Sequence, residues 1–424
     1  MNIAVVGLGH IGLPLAVQYA SRGHAVIGCD LDAHVVEAVN RGESPHADEP
    51  ALVERVRQLV GDGLLSATTD DAAGVRQAEV IVVIVPVVIN DAREVDYSQI
   101  DAATREVARG LQPGSLVIYE TTLPIGTTRD RLGPMLAAGS RLQLDRDFHL
   151  AFSPERVLVG RVLLDLQRYP KIVGATSPEG TQRAVDFYTA VLEPGTEIRA
   201  LASAEAAEMT KLAETTYRDV NIALANEFAQ VAARRGIDVT EVIAAANSQP
   251  YSHIHLPGVG VGGHCIPVYP HLLFSAEPGM RLPPLSRAVN DGMAAYAVGR
   301  LAEALGSLDG AAVLILGIGY RGDVHEDFFS SAFLLRDALT AGGASVYAHD
   351  PYFDADHLRR RGFEPYDLQA PVPVRAAILQ AAHAAYRDLD PAALPGLEVL
   401  LDGRNALDRG RIESAGVRYL GVGR

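Results

Sequence analysis

The sequence predicts an α/β protein built from two doubly wound domains joined by a long central helix. Three observations carry that expectation. Short apolar strand candidates alternate with helical stretches through the first part of the chain, residues from about 200 to 235 read as one uninterrupted helix, and a second glycine-rich strand–turn unit begins at Ala312. At 424 residues the chain is too long for one ordinary core. Domains are expected over 1–198, 199–305 and 306–424.

Residues 2–6 read as a buried strand. Gly7-Leu-Gly-His-Ile-Gly12 follows, then a helical pattern from Leu13 to Arg22, then a strand from Ala25 to Cys29 that ends at Asp30. The acid lies 18 residues past the last glycine (30 − 12), and the whole is the fingerprint of a Rossmann-like dinucleotide site. In that reading Gly7 permits the tight turn, Gly9 lets a pyrophosphate approach the backbone, and Gly12 lets the helix pack on the strand. Asp30 accepts hydrogen bonds from ribose hydroxyls and repels a 2′-phosphate, so NAD is expected rather than NADP. Ile11 in the turn and Pro86 after the strand candidate Val80–Val85 join the cofactor-binding set. The alternative is a ligand-free turn of the same shape.

Val80–Val85, Leu116–Tyr119 and His149–Phe152 read as further short apolar strands, which implies a parallel sheet. The long helix after residue 200 is also a natural dimer surface. In the second α/β unit, Gly317-Ile-Gly-Tyr-Arg-Gly322 repeats the glycine spacing, and Ser345 to Asp350 supplies the next strand and acid. This is a second nucleotide-type turn, with a weaker case for a dinucleotide.

Composition narrows the partners. A net charge of −15 argues against nucleic acid or an anionic membrane. The run Arg359-Arg360-Arg361 reads as a solvated helix face. Two cysteines, Cys29 and Cys265, give no disulfide framework and point to a reducing cytoplasm. The first residues start directly as a strand, so no signal peptide is expected, and no apolar run is long enough to span a bilayer. No metal site is expected.

Cys265 lies in Pro257-Gly-Val-Gly-Val-Gly-Gly-His-Cys-Ile-Pro-Val-Tyr-Pro270. A thiol in so glycine-rich a loop suggests a nucleophile; a buried structural thiol is the other reading. Cys29, before Asp30, reads as a small core residue. The chain has two lysines, Lys171 and Lys211, against 35 arginines (37 − 2). A lysine kept in that background suits a role needing a compact ammonium, with chance as the alternative.

The chain resembles the nucleotide-sugar dehydrogenases, the NAD-dependent UDP-glucose, GDP-mannose and UDP-N-acetylmannosamine 6-dehydrogenases. The resemblance rests on the first glycine turn; Glu120-Thr-Thr-Leu-Pro-Ile-Gly-Thr-Thr128; Ser153-Pro-Glu-Arg-Val157; Ala207-Glu-Met-Thr-Lys211 with Arg218 to Glu227; Gly262-Gly-His-Cys-Ile-Pro267; His349-Asp-Pro-Tyr352; and Asp402-Gly-Arg-Asn405. The segments around 153, 211 and 265 look most like the branch that oxidises N-acetylated UDP sugars. The resemblance implies an NAD-binding first domain, a central helical domain with the cysteine loop, a UDP-sugar-binding last domain, and a homodimer.

It also implies roles. A C6 alcohol is oxidised twice, with a thiohemiacetal and thioester on Cys265. Lys211 stabilises oxyanion charge, Glu155 orders water or acts as base, and Thr122 lies by nicotinamide and sugar hydroxyl. Arg321 and Arg404 meet the substrate diphosphate, with Gly262 in the substrate site. Each has a plainer reading. Lys211 is then a helix-surface cation, Glu155 a helix N-terminal acid, Thr122 a strand-end cap, and the arginines surface ion pairs.

Four positions depart from the family pattern. Thr215 stands where the family has an oxyanion-holding asparagine, Tyr269 where it has an aspartate, and Phe328 where it has an arginine; Arg321 replaces a lysine. Loss of an acid beside a thiol and a lysine alters both pKa values. The expectations are therefore a C6 dehydrogenase making a uronic acid, or an atypical member with a two-electron, non-C6 or redox-neutral outcome. A catalytically silent nucleotide-sugar-binding protein is the reading from another class. Tyr269 and Thr215 join Cys265, Lys211, Glu155 and Thr122 as catalytic candidates.

Overall fold

Four consecutive buried apolar residues, Ile3 to Val6, make the first strand the middle of a sheet rather than its edge. The computed structural model describes residues 1–46, 50–90, 92–157, 165–166 and 168–424. The chain divides into two compact units, Met1–Glu214 with His271–Pro278, and Thr215–Pro270 with Gly279–Arg424.

The strands of the first unit are β1 (Asn2–Val6), β2 (Ala25–Cys29), β3 (Leu65–Thr68), β4 (Val80–Val83), the two-residue hairpin strands β5 (Val88–Ile89) and β6 (Val95–Asp96), β7 (Leu116–Tyr119), β8 (His149–Phe152), β9 (Lys171–Ala175) and β10 (Ile198–Ala200). Eight of them form one sheet in the order β10-β9-β8-β7-β4-β1-β2-β3. Alternate residues feed two cores: Ile3, Val5, Val80 and Val82 pack with Leu13, Tyr19 and Tyr188 on one face. Ala4, Val6, Ile81 and Val83 pack with Val107, Leu136 and Phe148 on the other. Helices on both faces explain why these strands read as unbroken apolar runs.

One junction corrects the expected parallel sheet. Strand β9 runs antiparallel to β8, with Ala151 opposite Ala175 and Phe152 opposite Gly174. The reversal sets Lys171, the first residue of β9, beyond the carboxyl end of β8. A parallel strand would have carried it to the opposite end of the sheet.

In the second unit six parallel strands run in the order β13-β12-β11-β14-β15-β16, from β11 (Ala312–Leu316), β12 (Ser345–His349), β13 (Glu364–Pro365), β14 (Ala376–Leu379), β15 (Val399–Asp402) and β16 (Arg418–Gly421). Helices Leu282–Leu305 and Ser331–Ala341 cover one face through Met293, Leu301 and Leu335. The 32-residue helix Ala204–Arg235 is continuous, and the boundary between units falls inside it, after Glu214. Among the described residues no helix is long and apolar enough to cross a membrane. The arginine triplet is not wholly solvated: Arg361 makes a two-pronged pair with Asp327 at 2.7 Å on each arm, while Arg359 pairs with Asp356.

Candidate active site

The first glycine turn has the geometry a dinucleotide needs. A Cβ on Gly12 would sit 1.8 Å from the Gly7 carbonyl oxygen, so only glycine lets the helix Gly12–Ser21 start there. A Cβ on Gly9 would meet no protein atom within 4 Å, leaving that backbone open to a ligand. Asp30, half-buried, braces the turn by accepting from the Leu8 N–H at 2.7 Å and the Asp32 N–H at 2.9 Å. Ile11 is half-buried at the helix start, and Pro86 is exposed after β4.

The second turn differs in a decisive way. Asp350 is buried and accepts from the Ile318 and Gly319 N–H groups at 2.7 and 3.0 Å and from Tyr352 N–H. The ring of buried His383 lies 3.1 Å from the same carboxylate. No helix opens at Gly322; the next one begins at Ser331, capped by Ser330. Asp350 is therefore filled by its own turn, whereas Asp30 keeps solvent-facing surface for a ribose.

Around β7, β8 and β9 three charged side chains converge. Lys171 Nζ donates to Glu120 at 2.9 Å and to Glu155 at 2.7 Å. Tyr19 and Tyr188 donate their hydroxyls to the other Glu120 oxygen. Lys211 Nζ donates to the Glu155 backbone carbonyl at 2.8 Å. Burial pushes Glu120 up to about 6, against the opposing pull of Lys171. Glu155 is half-buried, but Lys171 outweighs that burial and holds it below the ordinary carboxylate range. Thr122 is buried two residues past Glu120, on the segment leaving β7.

The helix bearing Lys211 is tied to the same motif one turn earlier. Glu208, fully buried, accepts from Gly126 N–H at 2.6 Å, Thr128 N–H at 2.8 Å and the Thr128 hydroxyl at 2.6 Å. Glu205 pairs with Arg129 at 2.5 Å.

The cysteine loop is fastened along its length within the second unit. Gly258 N–H donates to Asn226 at 2.9 Å, and Gly263 N–H to the Phe328 carbonyl at 2.9 Å. Arg404 Nη1 donates to the Gly260 carbonyl at 3.0 Å. The Cys265 carbonyl accepts from Tyr269 N–H at 2.8 Å, which starts the helix Tyr269–Ala276. Cys265 is half-buried and unbonded to Cys29, which is a core residue. A Cβ on Gly262 would meet the Phe329 carbonyl oxygen at 2.8 Å, so that glycine serves the fit of loop on loop.

The loop it packs on carries one of the departures from the family pattern. The rings of His264 and Phe328 stack at 4.0 Å between centroids and 15°. Phe329 has φ +47°, a left-handed conformation that bulky residues avoid. Arg321 is exposed, its Nε donating to the Tyr320 hydroxyl. Arg404 is half-buried, and its further donors meet the Gln380 carbonyl and the Ser331 hydroxyl. Among the described residues no carboxylate forms an ion pair with it, and burial draws its guanidinium down to about 10, leaving it charged at neutral pH. A cation held by neutral oxygens suits an anionic ligand.

The structure thus brings Glu155 and Lys211 into direct contact in the first unit. Cys265, Tyr269, Gly262, Arg321, Arg404 and buried Thr215 belong to the second. Glu120, Lys171, Tyr19, Tyr188 and Glu208 were not assigned from sequence. The one signal for Lys171 was its rarity as a lysine; a buried tyrosine or a helix glutamate carries no such mark.

Residues 1–192 match the NAD-binding domain of the UDP-glucose/GDP-mannose dehydrogenase family, 205–291 its central domain and 314–409 its UDP-binding domain. The chain belongs to that family. It is an NAD-dependent nucleotide-sugar dehydrogenase, and the open Gly9 backbone and partly exposed Asp30 fit NAD. It is 34% identical to the UDP-N-acetyl-D-mannosamine dehydrogenase of Pyrococcus horikoshii, covering 100% of this chain and 99% of that protein. It is 33% identical to the NDP-N-acetyl-D-galactosaminuronic acid dehydrogenase of Ralstonia nicotianae, covering 97% of each. The solved Pyrococcus horikoshii UDP-D-ManNAc dehydrogenase superposes with a TM-score of 0.91 at 32% identity, over 100% of this chain and 99% of that one.

Proposed function

We propose that this protein oxidises the C6 alcohol of a UDP-N-acetylhexosamine to the uronic acid through a thiohemiacetal and a thioester on Cys265. The observation that carries the reading is the contact of buried Lys211 with the Glu155 backbone carbonyl, while the half-buried Glu155 carboxylate is bridged by Lys171 to Glu120 of the Glu120–Thr128 motif. The relatives of matching length support the substrate class, since their names carry N-acetylated sugars. On this reading residues 1–198 bind NAD, 199–305 carry the cysteine loop, and 306–424 bind the nucleotide.

Bound NAD supplies the acceptor for both oxidations. Asp30 holds its ribose, and Gly7, Gly9 and Gly12, with Ile11 and Pro86, shape the turn around it. Arg404, charged and partnered by neutral oxygens, takes the substrate diphosphate, together with exposed Arg321. Lys211 stabilises the alkoxide and oxyanion, Thr122 orients the hydroxyl, and Glu155 accepts the proton. Thr215 and Tyr269 offer hydroxyls where the family pattern has an amide and an acid.

A two-electron outcome is the second reading. Tyr269 favours it, because thioester hydrolysis then lacks the acid that the family pattern has at that position. The NADH yield per sugar separates the readings, and Tyr269→Phe tests the hydroxyl. If the hydroxyl takes part, turnover falls; unchanged turnover removes Tyr269 from the mechanism.

The protein is proposed to act as a homodimer in the cytoplasm. Met209, Tyr217, Leu224, Phe228 and Val231 lie on one face of helix Ala204–Arg235, each 39–54% exposed. A second copy covering that stripe predicts twice the chain mass in solution, and Leu224→Glu with Phe228→Glu should yield monomer.

A further inference from the structure

The Glu120–Lys171–Glu155 group has two carboxylates for one ammonium, with side-chain exposures of 0%, 6% and 11% in the order Glu120, Lys171, Glu155. The charged and titratable groups facing it come from four further places. Tyr19 reaches it from helix Gly12–Ser21 and Tyr188 from helix Pro178–Val191. Lys211 approaches from Ala204–Arg235 through the Glu155 carbonyl. Arg156 donates its N–H to the Glu155 carboxylate at 2.8 Å, while its guanidinium turns to the Pro170 carbonyl. Burial, reinforced by the Glu120 charge, holds both tyrosines far above their ordinary range, so they stay neutral donors. The trio then carries a charge of −1, and one proton neutralises it.

We propose that Glu120, Lys171 and Glu155 form a single proton-accepting unit, in which Glu155 takes the proton given up by the substrate and Lys171 and Glu120 are positioning residues that set its basicity. This rests on the reading of Glu155 as the residue that meets substrate. Oxidation of the alcohol breaks an O–H and a C–H bond. The C–H electron pair leaves as hydride to NAD, and the hydroxyl proton needs a base. A lysine-bridged carboxylate pair accepts it and passes from −1 to neutral, so the buried site gains no charge. The proton returns to water at the exposed edge of Glu155 before the thiohemiacetal is oxidised, and the same unit serves again.

The use of lysine in a chain with 35 arginines (37 − 2) fits this geometry. A compact ammonium reaches two carboxylates, at 2.7 and 2.9 Å, without the flat fork of a guanidinium. The antiparallel entry of β9 is what delivers it. Glu120 is raised by burial and Glu155 lowered by Lys171, and as a bridged pair they titrate together rather than as two independent acids.

The test uses variants that move the step in opposite directions. Glu120→Gln removes a negative neighbour, so the acid limb of the kcat/KM–pH profile should move down by about one pH unit or more. Lys171→Met removes the cation and should move the limb up by a similar amount. Infrared titration of the substrate-free protein should show a carboxylic-acid band that vanishes as pH rises, and Glu120→Gln should shift or abolish it. A uniform loss of rate with an unmoved limb, or an unmoved band in Glu120→Gln, would overturn the proposal. Glu155→Gln keeps the two levels apart. Full activity in that variant removes the underlying reading of Glu155. An inactive Glu155→Gln with an unmoved limb in Glu120→Gln removes the proton unit alone.

Discussion

Lys211 Nζ donates to the backbone carbonyl of Glu155 at 2.8 Å, while Lys171 Nζ holds that residue's carboxylate at 2.7 Å. The two lysines of the chain therefore meet at one residue, from a helix and from a strand 40 residues apart in sequence (211 − 171). On the proposed reading Lys211 stabilises an oxyanion from this position. Lys211→Met should lower kcat by about a hundredfold or more, the scale of losing one preorganised donor. NADH formation at saturating substrate is the measurement, and a change under threefold would speak against the role.

Arg404 is held by the Gly260 and Gln380 carbonyls and the Ser331 hydroxyl. Arg404→Lys keeps a charge but loses the fork. It should weaken binding of UDP itself by roughly ten- to a hundredfold, the worth of one charged hydrogen bond. Affinity for NAD should stay level. Calorimetry with UDP and with NAD reads both, and an equal loss for the two ligands would assign Arg404 to folding instead.

Asp30 combines a structural and a recognition duty, since it accepts from Leu8 and Asp32 N–H groups. Asp30→Asn should raise the NAD dissociation constant by roughly tenfold or more and narrow the preference for NAD over NADP. Fluorescence titration with both cofactors tests this. Unchanged discrimination would place the ribose elsewhere.

Glu208 sets a conflict between three hydrogen bonds and complete burial, and burial prevails, raising its carboxyl to about 7. Its ordinary value near ~4.3 holds in the unfolded chain. Protonation then favours the fold, so this contribution is full below about pH 4 and is lost as pH rises through about 7. The stability difference between the native protein and Glu208→Gln should therefore shrink by up to about 3 kcal/mol from pH 5 to pH 8. Denaturant titrations at both pH values measure it. A difference that grows with pH would mean the ionised carboxylate is the bound form.

Much of this architecture was legible in the chain. The strand–turn–helix from Asn2 to Asp30 was readable because glycine spacing and an acid at the strand end are local signals, and the long helix because its pattern is unbroken. The antiparallel β9 was not readable, since Lys171–Ala175 is an apolar run whose direction depends on its partner. That miss hid the site's third charge, because the reversal alone brings Lys171 to Glu120 and Glu155. Asp350 looked like Asp30 in sequence, yet its burial against His383 depends on distant packing. The close approach of Gly262 to the Phe329 carbonyl was likewise not readable, since it depends on how two distant loops pack.

The central claim is oxidation at C6 through Cys265, and the most direct measurement is NADH yield per mole of UDP-N-acetylhexosamine, with the product weighed by mass spectrometry. The account predicts two NADH and a carboxylate, and a Cys265→Ser variant that forms no carboxylate. One NADH with an aldehyde or ketone product, or a full yield of acid from Cys265→Ser, would contradict it.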